Sequence, residues 1–535
     1  MLETIAHDLA GLMTPVLAIC AFSIPLLDML LKRRAISELI TIIATLFTAI
    51  STSIIFMHVY ISGNVLIYTY GGWPPHFGIN YEIDLLNAIL AMFTSWNFVA
   101  IVLYSLWYRH HIDEPVWYYV MLIGLLTGLI GCLYTGDAFN LFVMFEVLSI
   151  SAYGLVAYHK NKPEALEAAA KYAILGAVAT TMYFIAVIIL YAIHGSVNMA
   201  ILTGFARTGV PDSVKYASMI SVSLALWAFT FKSALVPNHF WLPDAHPEAP
   251  TPVSAALSGL VVNIGAYATM RFLYTIFNEN SYLSNLRMPI MMALFILGTL
   301  SGIIGGLMMM VQKDIKRLLA YSTICHMGII YIGIAIGFAV NKAAMAMAMT
   351  GTVLHIMTHG IAKSLLFMSS GVFIDMAGSR DMDKMRGVGR KNLLVSVSFL
   401  IGFLSLAGLL PLAGFFSKLL IIMGYAESGF VLGGIMILVI SALSLPGYFK
   451  AMYSVIFATS DKDNVQVSEN PKHVKYVNTL LFAMGISLII LGLAYPLIQG
   501  AFARVAESIV IEEARIEYVN AVLRTILRII YGGIQ

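Results

Sequence analysis

Apolar residues fill this chain in long unbroken runs, neither alternating every second residue nor confined to one stripe of a helix. A helix of about 20 apolar residues spans a hydrocarbon layer of about 30 Å. About fourteen such segments can be read, near 9–31, 37–61, 84–108, 116–135, 138–158, 168–193, 217–243, 251–277, 287–311, 318–339, 344–375, 391–424, 430–457 and 476–503. The pattern predicts an all-α polytopic membrane protein. Two stretches depart from it. Residues 64–84, NVLIYTYGGWPPHFGINYEID, alternate apolar and polar side chains around Gly71, Gly72, Pro74 and Pro75, which predicts a short external hairpin. Residues 509–533 carry apolar residues at helical spacing with Glu512, Glu513, Arg515, Arg524 and Arg528 between them, which suits an interfacial or partner-binding helix, or a loosely held terminal one.

Composition agrees with the pattern: 60% of the 535 residues are hydrophobic and 11% charged, against about 25% charged in soluble domains. The net charge of +3 is small and dispersed, so nucleic acid is not expected as a partner. Cys20, Cys132 and Cys325 lie far apart without metal-ligand spacing, which argues against a disulfide framework or an iron–sulfur site. The opening MLETIAHDLAG places acids where a signal peptide has bases, so the first apolar run is expected to stay as a helix.

Basic residues gather in alternate loops: Lys32, Arg33 and Arg34; Arg109; Lys160 and Lys162; Lys313, Lys316 and Arg317; Arg380, Lys384, Arg386, Arg390 and Lys391; Lys462, Lys472 and Lys475. The positive-inside rule makes these loops cytoplasmic and puts both termini outside a cell (cytoplasmic) membrane. The intervening loops hold few bases, among them Arg207, Lys215 and Lys342.

Against this apolar background the polar residues inside the helices carry the chemistry. Lys232 lies deep in the seventh segment, and Pro237 breaks that helix five residues on, leaving the Ser233 carbonyl without its helical donor. A charge at that depth costs about 2.5–3.5 kcal/mol, and it persists where it lines a hydrated path or finds a partner. In the fifth segment Asp137 suits a helix cap, whereas Glu146 lies about 13 Å further along, at the bilayer middle, and Lys232 is its candidate partner. The tenth segment holds His326. In the eleventh, His355, His359 and Lys363 stand at i, i+4 and i+8, drifting about 40° per step into one polar stripe that could pass protons. Two histidines at i, i+4 can share zinc, but the glutamate of HExxH is absent and no metal is expected. The twelfth segment repeats the device of the seventh: a break at Gly408, Pro411 and Gly414 beside a buried lysine, Lys418. The order of lysine and proline differs, so no literal sequence repeat is implied.

The motifs GGWPPHFGI, FVMFEVLSI, FKSALVPNHFWLPDAHPEAPTPVSA, QKDIKRLLAYSTICHMGI, HGIAKSLLF and GLLPLAGFFSKLL span roughly residues 71–420. In this combination the chain resembles the antiporter-like subunits shared by respiratory complex I, multisubunit Mrp cation/proton antiporters, and membrane-bound hydrogenases and sulfane reductases, the D-type member of the Mrp antiporters most of all. The resemblance implies fourteen helices, with discontinuous helices seven and twelve and two inverted five-helix repeats. These divide the chain into N-terminal helices one to three with the hairpin (1–115), a first repeat (116–277), a second repeat (287–457), and helix fourteen with the amphipathic helix (458–535). It also implies a conserved glutamate–lysine pair at Glu146 and Lys232, central positions at His326, His359 and Lys363, and a terminal lysine at Lys418. One departure stands out. Where many relatives carry a histidine or lysine in the eighth helix, this chain has Ser258 and Asn263. The path there would run through water, or the subunit pumps weakly or not at all.

The expected function is therefore proton translocation by electrostatic switching: Lys232 keeps its proton while Glu146 is close and releases it inward when the pairing is broken. The implied partners are other membrane subunits, the bilayer, and protons, with sodium ions left open. No motif for flavin, NAD, haem or a cluster is evident, so no cofactor is expected in this chain and the driving signal must come from elsewhere. Two rival readings belong to other classes. A quinone-reducing enzyme has only His239 and His246, after the seventh helix, to recommend it. A structural spacer subunit is kept open by Asn263.

Overall fold

The computed structural model describes residues 1–207, 209–459 and 474–531. Lys462 and Lys472, counted above among the basic loop residues, lie outside the described residues. Among those described, thirteen helices are long and apolar enough to cross a membrane. In chain order they are Leu2–Leu31, Arg34–Ser62, Leu85–His111, Pro115–Tyr134, Ala138–Val156, Pro163–His194, Asp212–Lys232, Thr251–Ile276, Ser284–Val311, Ile315–Phe338, Lys342–Ala377, Val431–Phe457 and Lys475–Val510. The segment expected at 391–424 is two shorter helices, Leu393–Ala407 and Ala413–Glu427. Counted as one interrupted crossing, it stands twelfth, and the ordinals below follow that count.

Both predicted breaks exist, but the first begins earlier than Pro237. The seventh crossing ends at Lys232 itself, Ala234 turns with φ +51°, and a short helix, Trp241–Glu248, follows. The crossing read as 217–243 is thus shorter at its end. The backbone closes the helix there, the Leu235 amide donating back to the Thr230 carbonyl at 3.0 Å, and the Ser233 hydroxyl ties this end to the eighth crossing by donating to the Val262 carbonyl at 3.1 Å. The second break runs through Gly408, whose φ of +84° favours glycine. Gly414 then lets the second half-helix pass the first, since a Cβ there would meet the Ser405 carbonyl oxygen at 1.8 Å.

Burial sorts the crossings by their polar content. Only 28% of the most apolar window of the first crossing is buried inside the protein, whereas the corresponding windows of the eighth and tenth are buried throughout. Those two carry Ser258, Asn263 and Arg271, and Thr323 and His326, groups that a lipid-facing helix would leave without partners. The eighth crossing is also locally widened into π-helical turns at Leu257–Val261 and Arg271–Ile276.

The hairpin between the second and third crossings forms as expected. Leu66–Thr69 pairs antiparallel with Asn80–Ile83, Leu66 opposite Ile83. Asp84 then caps the third crossing through the Asn87 amide and holds Arg271 in a buried bidentate pair, at 2.6 and 2.7 Å. The terminal helix Glu512–Tyr531 folds back over this end of the molecule. Arg515, expected among its outward charges, is instead buried and donates to Glu279 at 2.5 and 3.0 Å, while Tyr518 donates to Glu82. Glu279 supplies the countercharge that lets this arginine be buried. Leu523, Leu527 and Ile530 remain exposed on the same helix.

Lys316 is a second such case. Assigned above to a basic loop, it begins the tenth crossing, is 3% exposed, and donates to the Ala249 carbonyl at 2.7 Å.

Candidate functional site

The buried polar residues fall into three groups along the interior. The first surrounds Lys232. Its ammonium, 1% exposed, donates to the hydroxyl of Ser149 and lies 5.7 Å from the Phe145 ring centroid. Glu146 stands on the same helix as Ser149, and no ion pair joins it to Lys232 among the described residues. Lys232 takes a hydroxyl as its hydrogen-bond partner instead. Ser149 follows Glu146 by three residues, so it shares that helix face, and it donates in turn to the Phe145 carbonyl. Glu146 itself is only half-buried.

The second group joins the eighth, tenth and eleventh crossings. Lys363, fully buried, donates to the Leu319 carbonyl at 3.1 Å. Thr323 donates to that same carbonyl at 3.0 Å and shares a 2.6 Å hydrogen bond with Ser258. Ser258, one of the neutral residues of the eighth crossing, is thus linked to Lys363 through the Thr323 hydroxyl and the Leu319 carbonyl. Asn263 lies one turn from Gly259 and donates to its carbonyl at 2.7 Å, while its own Oδ1 is buried without a partner. That carbonyl oxygen would lie 2.7 Å from a Cβ on Gly360, the residue after His359, so the eighth and eleventh helices touch backbone to backbone here.

The third group is a relay of rings and hydroxyls. His326 Nε2 is 2.7 Å from the Tyr448 hydroxyl, His326 Nδ1 is 3.0 Å from His355 Nε2, and His355 Nδ1 is 2.9 Å from Ser417 Oγ. Tyr448 continues to Ser322 at 3.0 Å. Lys418 follows Ser417 in the chain and reaches back across the helix break, donating to the carbonyls of Leu406 at 2.7 Å and Ala407 at 3.4 Å and to Ser441 at 3.0 Å. These carbonyls end a half-helix, where the backbone dipole favours a cation. His359 packs its ring against His326 at 5.7 Å, and both of its nitrogens are buried without a partner.

The expected stripe on the eleventh crossing is real but is not used as a stripe. His355 and Lys363 turn to different neighbours, and His326 from the next helix supplies the contact that His359 does not make with His355. Ser149, Tyr448, Ser417 and Thr323 were not singled out by sequence reasoning. Hydroxyls are common in membrane helices, and only the packing of two helices shows which of them meets a lysine or an imidazole. His239 and His246 lie apart from this relay; His246 stacks near Phe367 at 4.7 Å, with neither ring nitrogen partnered.

A bundle of apolar helices, two of them broken beside buried lysines, with a ring-and-hydroxyl relay between, defines an antiporter-like membrane protein. The family described as NADH:quinone oxidoreductase/Mrp antiporter, TM, matches residues 135–444, and the chain belongs to this family. It is 32% identical to NADH-quinone oxidoreductase subunit N of Desulforudis audaxviator (strain MP104C) over 388 residues, covering 71% of this chain and 73% of the relative. It is 27% identical over 429 residues to the putative antiporter subunit mnhD2 of Staphylococcus aureus (strain JH9), covering 80% and 82%. Among solved structures it is similar to a chain of the membrane-bound sulfane sulfur reductase, an archaeal respiratory membrane complex, with a TM-score of 0.85 and 27% identity over 96% of this chain and 99% of that one. The fold is shared with a chain of the Mrp complex from Dietzia sp. DQ12-45-1b, at a TM-score of 0.82 and 22% identity over 96% and 99% of the two chains. These relatives are subunits of multisubunit membrane complexes. The protein is a multi-pass membrane protein of the antiporter-like kind.

Proposed function

We propose that this chain translocates protons within a larger membrane complex, an Mrp-type antiporter module or a redox-driven pump, through Glu146, Lys232, His326, His355, His359, Lys363 and Lys418. The observation that carries the reading is the relay from Tyr448 through His326 and His355 to Ser417, beside Lys418. Each ring takes a proton on one nitrogen and yields one from the other, and burial keeps bulk water from short-circuiting the path. Lys232 and Lys418 are the two reservoirs. Lys232 is governed by Glu146 through Ser149, and Lys418 by the end of the half-helix on which it rests. Sodium as a second cargo is open to this reading. The bases outside the crossings support a cytoplasmic membrane with both termini outside.

The scheme routes no step through a cofactor of this chain, so the driving signal comes from a neighbouring subunit as a shift in the field at Glu146. Moving one charge against 100 mV takes about 2.3 kcal/mol, within the reach of making or breaking one buried charge contact. The test is proton uptake by inverted vesicles carrying the whole complex, Lys232→Met against wild type at equal assembly. Loss of the gradient is expected. An unchanged gradient removes the proposal and leaves the spacer reading that Asn263 allows.

A further inference from the structure

Outside the relay, one cluster of side chains has the composition and spacing of a metal site. His110 and His111 close the third crossing, and Asp375 lies near the end of the eleventh, the helix that carries His355, His359 and Lys363. Asp375 Oδ1 is 3.3 Å from His110 Nε2 and 2.9 Å from His111 Nε2. All three donor atoms lie within 4.8 Å of one another.

Zinc binds nitrogen at about 2.0–2.1 Å and carboxylate oxygen at about 2.0–2.2 Å, so a tetrahedral ion holds neighbouring donors about 3.3 Å apart. The two nitrogen–oxygen contacts, at 3.3 and 2.9 Å, are close to that separation. The orientation of His110 adds a second, independent sign. Its Nδ1 is 2.9 Å from the Trp107 carbonyl, which can only accept, so Nδ1 carries the hydrogen. In the neutral ring Nε2 is then a lone pair aimed at the Asp375 carboxylate, an arrangement relieved either by a proton on Nε2 or by a bound cation between the two. A backbone carbonyl fixing the remote nitrogen is also the usual support of a ligating histidine. The rings are held from the sides as well, His110 and His111 at 4.2 Å from each other and Tyr108 at 4.7 Å from His111. The histidines are 47% and 41% exposed and Asp375 29%, so an ion has access and a fourth position is open to water.

We propose that His110, His111 and Asp375 bind a borderline divalent metal ion, zinc in chemical class, which clamps the end of the third crossing to the end of the eleventh. Two imidazoles and one carboxylate favour zinc over magnesium or calcium, which prefer oxygen alone. The ion would fix the end of the helix that carries the histidine relay.

The experiment uses the purified whole complex, stripped with a chelator and titrated with zinc chloride by calorimetry, then with cobalt(II) for its visible spectrum. One saturable zinc site per copy of this chain is expected, with tetrahedral cobalt bands. His111→Asn and Asp375→Asn should each weaken binding at least about tenfold and abolish those bands. Asp375→Asn keeps the shape of the side chain and can still meet the rings, so it serves where the histidine variant fails to assemble. His76→Asn, outside the cluster, should change nothing. Zinc binding unaffected by either cluster variant, or no binding at all, overturns the site and leaves these three residues as an ion pair between helix ends.

Discussion

Nδ1 of His326 on the tenth crossing lies 3.0 Å from Nε2 of His355 on the eleventh. Only one of the two can hold the hydrogen between them, and that choice is tied to the outer ends, because His326 also meets Tyr448 and His355 also meets Ser417. The chain of four groups therefore has two arrangements, and hopping from one to the other takes up one proton at one end and releases one at the other. Removing one ring leaves the other with a buried nitrogen unsatisfied, at a cost of about 1–3 kcal/mol. His355→Ala should lower proton transport at least about tenfold in assembled complex, as expected for loss of a proton-transfer group. Tyr448→Phe, at the end of the relay, should have a smaller effect. Equal transport in wild type and His355→Ala would place the path elsewhere.

The contact of Lys232 with Ser149, on the helix that carries Glu146, leads to a distinct prediction about coupling. If Glu146 governs the lysine through Ser149, then Glu146→Gln and Ser149→Ala act on one event and their effects on transport cannot add. A double-mutant cycle on initial rates should give an interaction of about 0.5–3 kcal/mol. Strict additivity would mean that Glu146 reaches Lys232 by another route or not at all.

The two cases show what was legible in the chain. Depth along a helix follows from counting residues, so the crossings and both lysine-bearing breaks were visible. Which neighbour faces which depends on the rotation and spacing of helices far apart in sequence. Ser149 and Tyr448 could not be told from other hydroxyls, and the end of the seventh crossing is tied to the eighth by a contact between Ser233 and Val262 across 29 residues. The same holds for Arg515 and Lys316, charged residues whose buried partners come from distant segments.

The hairpin and the terminal helix supply a pH test. Glu82 is fully enclosed and accepts from Asn80 at 2.6 Å, Asn198 at 2.7 Å and Tyr518. Burial raises its carboxyl from 4.5 to about 7 against these donors and against the nearby Arg271. The folded protein thus binds the proton more tightly than the unfolded chain, and stability is lost as pH rises from about 4.5 through about 7. The span corresponds to roughly 3 kcal/mol at about 1.36 kcal/mol per pH unit. Thermal unfolding in detergent should show this decline for wild type, and Glu82→Gln should flatten it. A decline that survives Glu82→Gln would assign it to another group.

Asn263 decides between a conducting chain and a spacer. Its Nδ2 is spent on the Gly259 carbonyl, but its Oδ1 is buried without a partner, an arrangement that costs stability and invites a functional reason. The carbonyl it holds lies against Gly360, next to His359, whose two nitrogens are also without partners. These are buried polar groups with capacity to spare where the eighth and eleventh crossings meet, so protons crossing from Lys232 to the histidine relay should pass them. Asn263→Leu removes that capacity at similar volume and should lower proton uptake by about tenfold or more. Asn263→His, which restores the residue type expected from the family resemblance, should keep or raise it. Were both variants to transport at the wild-type rate with the complex intact, the eighth crossing would carry no protons, and the two lysines would belong to separate half-paths or to a subunit that only transmits structure.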